Sequence, residues 1–184
     1  LGYHLFDLAL HIINSCLVVY FVYFLVGNQA LAILVGLFFS SSFAITDAVI
    51  WSGARVDTVM FTFYILSLIA FLFFLKKECQ IYYMFSILLF ILSLSAKGTA
   101  LALPFALFLM EKHCKPKKYI NQLFKYLPFI FIVLVYIILL RYNTPENLTL
   151  AQTDISRIIL NILNVPMTLF IPEGLLSVNP WITL

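Results

Sequence analysis

Residues 55–77, RVDTVMFTFYILSLIAFLFFLKK, decide the fold. Arg55 and Asp57 stand at one end, Lys76 and Lys77 at the other, and positions 58–75 between them carry no charge. A bilayer core of about 30 Å needs about 20 apolar residues in one helix, with polar anchors where the helix leaves the lipid. This run has that length and those flanks, so it reads as a transmembrane helix.

Working outward, comparable apolar runs fall at 5–26, 29–45, 81–96, 99–110 and 124–140, and a further helix is expected near 155–171. The run at 99–110 is short and contains Pro104, which a kinked span or a half-span would accommodate. The expected architecture is an all-α, polytopic transmembrane helical bundle of about six to seven spans, with residues 1–184 as a single transmembrane domain. Composition agrees: 64% of the chain is hydrophobic and 10% charged, mean hydropathy is +1.07, and 19 Phe and 10 Tyr exceed what a water-soluble domain can hide. Leu1 already lies inside a hydrophobic run, with no initiator Met or basic leader, and Leu184 ends in another, as expected of a piece of a longer protein.

The lysines set the orientation. With the first span running inward, Lys76, Lys77, Lys112, Lys115, Lys117, Lys118 and Lys125 fall on the cytoplasmic side. The outer face receives Arg55, Lys97, Arg141 and Arg157, with Asp47, Asp57, Glu146, Asp154 and Glu173. Membrane topology accounts for the net charge of +3 better than nucleic-acid binding does. Cys16, Cys79 and Cys114 are far apart and form neither a zinc motif nor a disulfide framework. The longest cytoplasmic loop reads as EKHCKPKKYINQ, where His113 beside Cys114 lacks further metal ligands.

Polar residues on the outer face need a reason to be there. In TDAVIWSGARVDTV, residues 46–59, a helix would place Asp47, Trp51 and Arg55 on one face at four-residue spacing. A second reading has Thr46 or Asp47 capping an interfacial helix, Trp51 in the aromatic belt, and Asp57 capping the span that begins at Thr58. An arginine held at this surface suits a phosphate, because its fork of donors matches phosphate oxygens. Lys97, in SAKGTALALP, either snorkels to the interface or adds a second cation beside Arg55.

In the first run His4, Asp7, His11 and Asn14 recur at spacings of three and four and form one polar stripe. Ionisable residues within a span are expensive unless they face a cavity or a partner helix. The stripe therefore lines a cavity or glues helices together, a frayed wet helix end being the plainer alternative; no metal is assigned to it.

Three segments in this order, FDLALHIINSCLVVYFVYFL, DAVIWSGARVD and AKGTALALP, resemble the GT-C class of polytopic membrane glycosyltransferases, in particular the RgtA/B/C/D-like and O-mannosyltransferase-related branch. The resemblance covers about residues 5–112. It implies transfer of a sugar from a polyprenyl-phosphate donor to a glycan, lipid or protein acceptor on the outer or lumenal side, with the lipid bilayer as surroundings and no nucleic acid as partner. Arg55 and Lys97 would bind the donor phosphate, with Asp47 or Asp57 supporting substrate or a divalent cation such as Mg or Mn. His4, Asp7, His11, Asn14 and Trp51 would line the cavity. The family's general base lies in the first outer loop, which would precede Leu1. Two positions depart from its pattern: Ser42-Phe43 where His-Pro is frequent, and Gly98 where a Glu often follows the lysine. The location implied is a multi-pass integral membrane protein of the bacterial inner membrane, or of the ER membrane in a eukaryote. The alternatives are a transporter or flippase using the α-helical polar stripe as its path, and a non-catalytic protein that binds lipid-linked sugar.

Overall fold

The computed structural model describes residues 2–42, 55–114 and 124–143. They form an all-α fold in which the described residues make six α-helices: α1 (Gly2–Val26), α2 (Gln29–Ser41), α3 (Arg55–Lys77), α4 (Gln80–Ala96), α5 (Leu103–Cys114) and α6 (Leu127–Asn143). A 3-10 turn, Gly98–Ala102, leads into α5. The helix expected near 155–171 lies outside the described residues, as do Asp47 and Trp51.

Each apolar run becomes a helix because its polar breaks stop it. Gly27 ends α1 at φ 78°, a left-handed conformation that glycine adopts without strain, and its N–H returns to the Tyr23 carbonyl at 2.8 Å. Asn28 then caps α2 by accepting the Leu31 N–H at 3.1 Å. The two helices pack closely through Ala32 and Gly36, one turn apart on α2. A Cβ added at Gly36 would overlap Val19 Cγ2. Small residues at this spacing let helix backbones approach, the packing favoured in membranes. Pro104 sits at the second position of α5, where its missing N–H has no helical partner to lose, so it starts a helix rather than kinking one.

A cluster of rings and leucines from α3, α4, α5 and α6 forms the core, with Phe71, Phe90, Phe129, Leu72, Leu103 and Leu107 fully buried. Phe129 brings α6 into it, meeting Phe71 edge-on at 6.1 Å and Phe90 at 5.6 Å between centroids. Serine joins α3 to α4: Ser67 Oγ donates to the Ser86 carbonyl at 2.8 Å, and Ser86 Oγ lies 3.0 Å from the Ser67 carbonyl. Further along the same seam Ser93 Oγ donates to the Met60 carbonyl at 3.0 Å.

Large apolar side chains also stand on the exterior, and some polar ones are enclosed. Phe105, Phe131 and Ile138 are 67%, 67% and 66% exposed, whereas Asp7, Ser67 and Ser86 are completely buried. Two helices, Leu5–Val26 and Arg55–Lys77, are long and apolar enough to cross a membrane, the second mostly buried within the bundle. The other apolar helices are shorter than the six to seven spans expected from sequence require. At about 1.5 Å per residue, the 13 residues of α2 reach about 20 Å and the 17 of α4 about 25 Å.

Candidate functional site

Asp7 anchors the site. It has no exposed surface, and Arg55 grips it with both arms of the guanidinium, Nε donating to Oδ1 at 2.7 Å and Nη2 to Oδ2 at 2.9 Å. Paired parallel donors of this kind give the strongest carboxylate contact available to a side chain. Arg55 keeps 30% of its side-chain surface exposed and lies over the Phe6 ring at 5.8 Å. The first residue of α3 is thus fastened to the first turns of α1.

The rest of the stripe follows the same face of α1. His11 Nε2 lies 3.3 Å from the Ser40 carbonyl at the end of α2, and its ring stacks on Phe39 at 6.0 Å. Asn14 Nδ2 donates to the Thr58 carbonyl of α3 at 3.1 Å. Asp7, His11 and Asn14 therefore hold three helices together. Among the described residues no three His, Cys, Asp or Glu side chains gather as metal ligands, and Asp47, one of the two acids that the resemblance offers a divalent cation, lies outside them. The side chain of His4 lies outside the described residues.

Lys97 ends α4, and its Nζ donates to Asp57 Oδ1 at 2.5 Å. Asp57 does not cap a helix beginning at Thr58: α3 already includes Arg55, three residues earlier, and Asp57 lies in its first turn with the carboxylate turned to α4. The carboxylate that Gly98 does not supply beside Lys97 comes instead from α3. Gly98 itself leaves room for α6, since a Cβ there would stand 2.7 Å from the Tyr136 hydroxyl. The first turn of α3 thus carries Arg55, which reaches across to Asp7 of α1, and Asp57, which receives Lys97 from α4, at one end of the bundle.

The opposite end is built differently. Lys76 Nζ donates to the Phe24 carbonyl at 2.5 Å and lies 3.8 Å from the centre of the Phe24 ring. Glu111, 6% exposed, accepts from the Tyr126 hydroxyl and from Lys125 Nζ at 3.3 Å. The sequence places this carboxylate at the start of the EKHCKPKKYINQ loop; α5 continues through Cys114 and turns it inward. The signal available was an acid closing an apolar helical run, LPFALFLME, four residues after the buried Leu107. A cavity of about 480 Å³ opens at this end, lined by Leu25, Leu75, Lys76, Glu78, His113 and Cys114.

Among the described side chains, the Arg55 end holds two bases and two acids in matched pairs. The other end holds Lys76, Lys77, Lys112 and Lys125 against Glu78 and Glu111. No protein-family model matches the sequence, and no curated protein or solved structure does either.

Proposed function

We propose that the chain is part of a polytopic membrane glycosyltransferase that takes a sugar from a polyprenyl-phosphate donor and passes it to an acceptor on the outer or lumenal face. The apolar exterior, the buried polar seam and the lysine excess at one end support a bundle in lipid with that end in the cytoplasm. The observation that carries the catalytic reading is that Arg55, which begins α3, and Lys97, which pairs with Asp57 in the same first turn, both lie at the end opposite the lysine-rich one. The α3 N-terminus adds its own partial positive charge there.

In the resting arrangement each cation leans on a carboxylate. An arriving lipid phosphate exchanges partners, taking the arginine fork and the lysine ammonium while Asp7 and Asp57 turn from them. When the acceptor hydroxyl attacks the anomeric carbon, a new C–O bond forms and the bond from that carbon to the phosphate oxygen breaks. The acceptor's proton passes to a base, a role assigned to none of the described residues. Negative charge then grows on the departing phosphate, and two positioned cations in a low-dielectric setting stabilise it more in the transition state than before it.

Sugar transfer by the full-length protein in membranes tests this with two variants. Lys97 and Asp57 are 44% and 39% exposed in their side chains, so Lys97→Ala removes a pair worth at most about 1 kcal/mol and leaves the fold intact. Transfer should fall at least about tenfold, which is about 1.4 kcal/mol of transition-state stabilisation. Arg55→Lys keeps the charge and loses the fork, and should fall further. Normal turnover by both variants removes the phosphate-clamp role.

A further inference from the structure

His11 and Asn14 each have one buried polar atom without a hydrogen-bond partner: His11 Nδ1 and Asn14 Oδ1. Their side chains are nearly enclosed, at 9% and 1% exposure. Buried polar groups are satisfied in the great majority of cases, and an orphan marks a missing partner.

The bonds that these side chains do make fix what the partner must be. A carbonyl only accepts, so His11 Nε2, facing the Ser40 oxygen, carries the ring proton and leaves Nδ1 as a bare acceptor in the neutral imidazole. By the same logic Asn14 turns its nitrogen to the Thr58 carbonyl and leaves its oxygen as an acceptor. Both orphans therefore ask for protons. They stand three residues apart on one face of α1, a spacing that puts side chains about 5–6 Å apart at Cβ. As neighbours on one face, the two acceptors can be served by one small guest that carries two hydroxyl protons.

We infer that the seam between α1, α2 and α3 holds a neutral hydroxyl guest that donates to both His11 Nδ1 and Asn14 Oδ1. Two sources share this chemistry: a water giving both its protons, or neighbouring hydroxyls of a sugar giving one each. A metal ion is the poorer guest, since Asp7 already holds Arg55 and no three ligating side chains gather among the described residues. The inference stands on the two orphan acceptors and is independent of the glycosyltransferase reading.

Solid-state NMR on the full-length protein in bilayers, with 15N-labelled histidine and at a pH well above the ordinary imidazole range, tests it. His11→Gln assigns the His11 signals by their loss. The expected result is a ring protonated at Nε2, with Nδ1 accepting from an exchangeable proton whose cross-peak is lost in D2O. A cross-peak at the water frequency that persists when 13C-labelled glucose is added identifies water. Its replacement by a contact to labelled carbon identifies a sugar diol. A proton on Nδ1 itself, or an Nδ1 with no donor in contact, overturns the inference.

Discussion

Two seams cross the bundle, and they differ in how completely they satisfy themselves. Between α3 and α4 the buried polar groups are neutral and matched, Ser67 and Ser86 bonding to one another's carbonyls and Ser93 to Met60, while the ion pair of this seam, Lys97 with Asp57, stays at its partly exposed rim. Between α1 and its neighbours α2 and α3 the groups are an ion pair with a fully buried carboxylate, an imidazole and an amide, and two of their acceptors go unmet. A seam meant only to hold helices together gains most from the first arrangement. Burying charge is costly unless every partner is present, and hydrophobic replacements of such pairs are often neutral or stabilising. The α1–α3 seam keeps what stability alone would discard, which is the physical reason to look for function at that end.

The largest effect that would break this contrast comes from Asp7. Asp7→Leu removes the buried carboxylate that both arms of Arg55 hold and should destabilise the fold by about 3–5 kcal/mol, read as a large drop in thermal midpoint in detergent. Replacing both, Asp7→Leu with Arg55→Leu, should recover most of that loss while abolishing transfer. A double variant as unstable as the single one would make the pair a structural necessity and end the contrast.

Overpacking comes next. Gly36→Leu drives a side chain into Val19 at the α1–α2 contact, and should lose about 1–3 kcal/mol by the same thermal measurement. A midpoint unchanged from wild type would mean that α2 stands further from α1. Smaller again is Ser67→Ala in the satisfied seam. Hydrogen bonds between membrane helices average about 0.6 kcal/mol, so the midpoint should fall slightly and transfer should be unaltered. Loss of transfer here would place function in the wrong seam.

The helices were legible because apolar runs and their stops are local: Gly27, Asn28 and the Lys76–Lys77 pair mark boundaries that the structure keeps. Pro104 was legible as an interruption but not as a helix start, since the 3-10 turn ahead of it leaves no signature in hydropathy. The polar stripe on α1 was legible as a stripe because helical spacing alone defines a face. Its partners were not: Asp7 and Arg55 are 48 positions apart, and nothing in either neighbourhood specifies that one meets the other. Glu111 was missed for the related reason that a charged residue near a helix end looks solvated until the packing of Tyr126 and Lys125 is known. Arg55 and Lys97 stand out in the sequence by their type and by the outer side that the lysine pattern predicts for them, and the structure adds that each already holds a carboxylate.

Partner exchange at the α3 N-terminus is what the functional account depends on, and binding of a polyprenyl phosphate to the full-length protein in nanodiscs tests it most directly. Wild type should bind the phosphorylated lipid at least about tenfold more tightly than the corresponding polyprenol, a difference of about 1.4 kcal/mol, and Lys97→Ala should erase most of that preference at an unchanged thermal midpoint. Equal affinity of wild type for the two lipids, or a preference untouched by Lys97→Ala, would contradict it.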